Sequence, residues 1–326
     1  FADWNQDSTA IFEVLKENVI LNLNDGNALG WSKEIKKILK NYKNRFLLKL
    51  VNWGDADMIN FYDSNGKFIE PQASQKPSCG ITYAYHMKKW NCNYAIPFSS
   101  LHTYTRKDSV KMNKFVTPIE AHSEKFNNKH GNLLPAFIIW DFQKNDFQLI
   151  NPPKNFNEPK DPKFFGDNWS DELDEEDKKQ INTYFSRFDH VKEKFGFINF
   201  RIGNKDFNLK FSDKKEGLKF ETPRNSLMYS IKNNIFDDIL IGNFAKVQLI
   251  NVNSLYPDFN PFVAKYGDNG GARSKSEIED YFDYYKLNSA NYWNDFLRFK
   301  TAEIIRGKLE KYKTFYKILK NLQKKL

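Results

Sequence analysis

The chain is poor in the residues that announce common functions. It has two cysteines, Cys79 and Cys92, in 326 residues. Two thiols cannot build a multi-disulfide framework or a four-thiolate metal site, so a reduced, cytoplasmic setting is expected. No apolar run approaches the roughly 20 residues that cross a bilayer, which excludes an integral membrane helix. The opening FADWNQDSTA has neither a basic start nor an apolar stretch, so no signal peptide is expected, and without an initiating Met the chain reads as the later part of something longer. The five histidines never stand at zinc-motif spacing: HxHxDH, HExxH and C-x-x-C are all missing. Net positive charge is also scarce outside one place. Residues 297–326 hold ten Lys or Arg against two Glu, so that segment carries +8 of the formal +9. A nearly neutral body argues against a nucleic-acid-binding face.

What is abundant is aromatic: Phe, Tyr and Trp make up 16% of the chain, with 30 Phe. Hydrophobic residues at 40% and charged ones at 28% fit a folded domain with a sizeable core. Residues 10–24, AIFEVLKENVILNLN, predict two strands around a Lys-Glu-Asn turn, closing at Asp25-Gly26. WSKEIKKILKNY predicts a helix capped by Ser32, and RFLLKLVNW a buried strand ending in GDADMINFYD. A helix over ITYAYHMKKW and a strand over NYAIPFSSLHTY follow. This alternation is the signature of a layered α/β unit over residues 1–150.

Four of the twelve prolines lie in residues 151–169, which predicts a linker or long surface connection. Residues 170–326 read as α+β: a helix over SDELDEEDKKQINTYFSRF capped by Ser170, a hairpin turning at Gly203-Asn204, a strand over KVQLINV, then helices. The final segment repeats apolar residues at Ile305, Leu309, Tyr312, Tyr316, Leu319 and Leu322, with Lys on most other positions. That predicts a basic amphipathic helix packed on its own domain, with an anionic membrane or nucleic acid as the other uses of its lysines.

Three features bear on chemistry. Asp25 ends a buried strand and precedes Gly26; it is either a metal-bridging carboxylate or part of a tight Asn24-Asp25-Gly26-Asn27 turn. In IPFSSLHTYTRKDSV, His102, Tyr104, Arg106 and Asp108 stand at alternate positions, and Thr103 and Thr105 favour an extended chain, so the four are expected on one face. His102 is a candidate ligand, with Asp108 as its carboxylate support. Arg106 is a fork for a phosphate or carboxylate, or the partner of an ion pair with Asp108. The glycine-rich YGDNGGARS lacks the GK[ST] ending of a phosphate loop and reads as a turn.

The order of VILNLND, GDADMINFYD, YAIPFSSLHTYTRKDSVKMNKF, PRNSLMYSI, FDDILIGNF and SLYPDFNPFVAKYGDNGGA resembles the metallo-β-lactamase superfamily. It is most similar to the branch of CMP-N-acetylneuraminate hydroxylase and of lactonase- and phospholipase-like hydrolases. The resemblance implies the second half of an αββα sandwich followed by an α+β domain. It implies a metal-dependent hydrolase acting on a small anionic, phosphate- or sugar-containing substrate. Asp25 would bridge and His102 would ligate a dinuclear centre of zinc, iron or manganese; Arg106 would neutralise the substrate, and Tyr104 would hydrogen-bond developing charge. The family's HxHxDH motif, encoded before the bridging Asp, is missing from the 24 residues ahead of Asp25, so a separate polypeptide or an omitted segment would have to supply it. The Cys-x-His pairs of the hydroxylase's iron–sulfur domain are missing too. A binding or scaffold protein with a decayed site is the alternative.

Overall fold

A computed structural model describes residues 10–51, 59–71, 74, 78–99, 101–150, 158–268, 270–288, 293–295, 297 and 301. The helix expected over 305–326 lies outside the described residues.

The chain opens with an antiparallel hairpin, β1 (Ile11–Leu15) and β2 (Asn18–Asn24). Helix α1 (Ser32–Leu39) leads to β3 (Asn44–Lys49), parallel to β2. Two short strands, β4 (Phe61–Tyr62) and β5 (Phe68–Ile69), precede helix α2 (Cys79–Trp90). Next come β6 (Tyr94–Pro97), parallel to β3, and β7 (Asn132–Leu133), parallel to β6. The first sheet therefore runs β1-β2-β3-β6-β7. Ile35 and Leu39, four apart on α1, and Tyr83, Met87 and Trp90 on α2 bury against Val19, Leu21, Leu23, Leu47 and Ala95 of one sheet face. A separate hairpin, β8 (Ile138–Asp141) and β9 (Asp146–Leu149), lays Trp140 against Phe46 and Tyr94 on the other face.

Helix α1 is capped differently from the sequence expectation. Ser32 is its first residue and not its cap, and Trp31 before it makes no side-chain cap. The cap comes from far away: Asp295 accepts from the Ser32 backbone N–H (3.1 Å) and hydroxyl (2.6 Å). A buried carboxylate at the positive helix end is favourable for charge and hydrogen bonding alike.

The second half contains helices α3 (Glu175–Ser186) and α4 (Asp189–Lys194), strands β10 (Phe197–Ile202), β11 (Lys205–Lys210) and β12 (Gly217–Glu221), and helices α5 (Arg224–Asn233) and α6 (Phe236–Ile241). Strand β13 (Lys246–Ile250) and helices α7 (Asn260–Tyr266) and α8 (Lys275–Leu287) complete it. Gly203 and Asn204, both at positive φ, make the two-residue turn between β10 and β11 that the sequence predicts. Helix α3 does not start at Ser170. Asp174 is the cap, accepting from the Asp177 backbone while Asp177 accepts from the Asp174 backbone. That reciprocal pair satisfies two end donors at once, which a lone serine cannot do.

The sheet of this half runs β11-β10-β12-β13-β4-β5, so β4 and β5 cross the boundary expected at residue 150. Val247 and Gln248 pair with Phe61 and Tyr62, and the buried Asn60 accepts from the Val247 backbone. The Pro-rich segment is likewise not loose where it is described: Lys160 exchanges backbone hydrogen bonds with Thr105 and Lys107. The whole is a mixed α/β structure of α+β character.

Candidate functional site

Strands β2, β3 and β6 are parallel, and in open α/β sheets ligands gather beyond the C-terminal strand ends. Asp25 follows β2 there and His102 follows β6 five residues after its last residue, with β3 between them. Asp25 sits in a turn: Gly26 donates to the Leu23 carbonyl (2.7 Å), and Asn24 takes a positive φ. Its side chain is exposed, with no hydrogen bond or ion pair among the described residues. Directly beside it, Lys49 at the end of β3 is buried and its ammonium donates to the Gly26 carbonyl (2.8 Å). His102 is half-buried, its ring edge-on to Tyr104 at 5.1 Å.

The alternating face expected for His102 to Asp108 does not continue past Arg106. Residues 107–109 turn, so Asp108 swings back onto Arg106 instead of continuing the row. Asn113 holds the extended part as a strand partner would. Its amide accepts from the Tyr104 N–H (2.7 Å) and donates to the Tyr104 carbonyl (2.9 Å).

Arg106 is the hub. Its Nε and Nη2 form a fork onto Asp108 (3.0 and 2.9 Å), and Nη1 donates to Asp167 (2.7 Å). The guanidinium lies over Phe244 at 4.0 Å, with Phe165 at 5.4 Å. Burial alone would push its pKa down; the hydrogen bonds it donates to Asp108 and Asp167, and their charges, outweigh that and raise it. Asp167, with no side-chain exposure, also accepts from the backbone N–H and hydroxyl of Ser226 at the start of α5. Trp169 donates to Asp108, and Asn243 donates to the Tyr104 hydroxyl (2.7 Å).

Of the five residues singled out in the sequence, the structure thus joins His102 to Tyr104, and Arg106 to Asp108. Three of Arg106's five N–H groups go to protein carboxylates, so the ion-pair alternative is the one present. Asp167, Trp169, Ser226 and Asn243 were not foreseen. They lie 61 to 139 residues away in sequence, and no local spacing marks them.

Neither buried thiol, Cys79 or Cys92, is in a disulfide, and burial pushes Cys92 up to about 12, so it is inert. Among the described residues, no three or more His, Cys, Asp or Glu side chains gather closely enough to hold a metal ion. Asp25 and His102 supply two donors, while zinc sites take three or four protein ligands. The described residues do not by themselves fit a complete metal centre, and no reaction step is derived through one. Among the described residues no helix is long and apolar enough to cross a membrane. No family model, no curated protein and no solved structure matches this chain.

Proposed function

We propose that this chain is the C-terminal part of a metal-dependent hydrolase of the metallo-β-lactamase type. Asp25 and His102 would be two of its metal ligands, and the remaining ligands would come from residues beyond those described, on this or a separate polypeptide. The observation that carries this reading is the second face of the first sheet. Parallel strands are normally covered on both faces. Here α1 and α2 cover one, whereas the other presents the registered rows Ile20–Phe46–Tyr94 and Asn22–Leu48–Ile96. The hairpin β8–β9 covers Phe46, but Ile20, Leu48, Tyr94 and Ile96 stay partly exposed, and Leu48 and Ile96 lie toward the edge that carries Asp25 and His102. An apolar face of this kind suits a second sheet, and its upper edge suits a site shared between the two.

In this reading Tyr104 and Arg106 fix the segment that carries His102, through Asn243 and Asp167, instead of contacting substrate. A small anionic substrate, zinc, iron or manganese as the metal, and a cytoplasmic location belong to the proposal. The alternative, a binding or scaffold protein, is favoured by the engagement of Tyr104, Arg106 and Asp108 in protein contacts and by the buried Lys49 ammonium, whose charge opposes a cation nearby.

Elemental analysis of the whole natural gene product decides between them. Asp25→Asn and His102→Ala should each lower bound metal while circular dichroism stays unchanged. Equal metal content in both variants and the parent would reject the hydrolase reading.

A further inference from the structure

A second candidate site lies in the other half of the molecule. Helices α3 and α5 and the glycine-rich segment before α8 enclose an open cleft of about 520 Å³, within the roughly 300–1,000 Å³ range of small-ligand sites. Four cations line it: Lys179 and Arg187 from α3 and its end, Lys232 from α5, and Arg273 from the glycine-rich segment. Among the described residues none of the four lies within ion-pair distance of a carboxylate. The one acid on the wall, Glu176, is held by the Gln180 amide at 3.2 Å.

The ends of α3 and α5 explain only part of this charge. A helix C-terminus carries about half a negative charge, so two ends offset about one cation. With Glu176 also subtracted, the cleft keeps a surplus of about two positive charges. Arg187 is held in place: its Nη2 donates to Asn234 (2.6 Å), and its guanidinium lies over Tyr184 at 4.8 Å and Phe188 at 5.5 Å. Its Nε is buried with no hydrogen-bond acceptor among the described residues, and the Tyr184 oxygen lies within reach of Arg187 and the Phe236 backbone N–H. Leaving such a donor unmade is costly, so an acceptor supplied by a ligand would be favoured there. Burial pushes Tyr184 up to about 12, so its hydroxyl remains a donor at neutral pH. Donors and a surplus of fixed positive charge are what phosphate recognition requires.

We propose that this cleft binds a small ligand through its phosphate or diphosphate group. The site is independent of Asp25 and His102. The test is calorimetric titration of the full chain with inorganic pyrophosphate at low ionic strength. The expected result is saturable binding, with Kd raised about tenfold or more in the Lys232→Glu, Arg273→Glu double variant. Both residues are exposed, so the variant should melt as the parent does. Lys33→Glu, on exposed α1 surface, should bind as the parent does. The proposal is overturned by absence of saturable binding, by an unchanged Kd in the cleft variant, or by equal loss in Lys33→Glu. Binding of a single-stranded oligonucleotide without binding of pyrophosphate would also overturn it, and would make the cleft part of a polyanion surface.

Discussion

The two sheets of this molecule are finished differently. Both have helices on one face. On the six-stranded sheet the inner face is Ile198, Phe200, Ile202, Leu218, Phe220, Val247 and Leu249, in a core that includes Phe185, Phe236 and Phe259. Its outer face is polar, with the rows Asn199–Lys219–Gln248 and Arg201–Glu221–Lys246 carrying the ion pairs Lys219–Asp206 and Lys246–Glu221. That alternation is what a sheet with one face in water requires. The first sheet departs from it: beside Asn22, its outer rows hold Ile20, Phe46, Leu48, Tyr94 and Ile96, yet helices cover only the inner face. The same chain shows that it encodes a solvated face where it needs one. The apolar residues of those outer rows are the ones that the proposed second sheet would cover.

The fastener between the two regions gives the largest expected effect. Arg106→Met leaves Asp108 and the fully enclosed Asp167 without their cation, and breaking a buried pair costs about 3–5 kcal/mol. Chemical denaturation should show that loss, with Asp108→Asn smaller because Trp169 still donates to the amide oxygen. A loss under about 1 kcal/mol would mean that the ion-pair cluster does not hold the halves together.

Adjacent leucines on β3 test the contrast itself. Leu47, with no exposure, points under the helices, whereas Leu48 points to the open face. Leu47→Ala should cost about 3 kcal/mol and Leu48→Ala about 1 kcal/mol or less. Equal costs would show that the outer face is as well covered as the inner one.

The smallest effect is a pH dependence confined to the second region. His190 stacks on Phe262 at 4.1 Å and hydrogen-bonds the Tyr266 hydroxyl (2.9 Å). Burial, and then the nearby Lys275 charge, lower its pKa against the opposing pull of Glu193, Glu279 and Asp189. A depressed folded-state pKa means that the unfolded chain binds the proton more readily. The neutral ring's contribution is therefore present above about pH 6.5 and is lost as pH falls through the lowered folded value. Melting temperature should drop between pH 7 and pH 5, and His190→Phe should flatten that part of the profile. A slope unchanged by the substitution would assign it to other groups.

Much of the framework was legible where the signal was local. The β1–β2 hairpin, the Gly203-Asn204 turn, α2 and β13 all follow from periodicity and turn residues within about a dozen positions. What escaped was supplied across the chain. Ser32 looked like a cap because it precedes the apolar stripe, but Asp295 caps that helix from 263 residues away. Ser170 looked like a cap for the same reason, and the acidic run hid the reciprocal Asp174–Asp177 pair. At the site, alternation placed His102, Tyr104 and Arg106 on an extended chain, but the turn at 107–109 and the Asp167 carboxylate are tertiary facts. Strands β4 and β5 are two residues each, too short for periodicity to show which sheet they join.

The central claim, that the edge of the unfinished sheet is half of a metal site, is tested most directly by diffraction. Crystals of the natural gene product grown with zinc and measured at the zinc absorption edge should show an anomalous peak about 2.0–2.3 Å from both an Asp25 carboxylate oxygen and a His102 ring nitrogen. A peak elsewhere only, or Asp25 and His102 side chains too far apart to share a metal or close metal pair, would contradict the account.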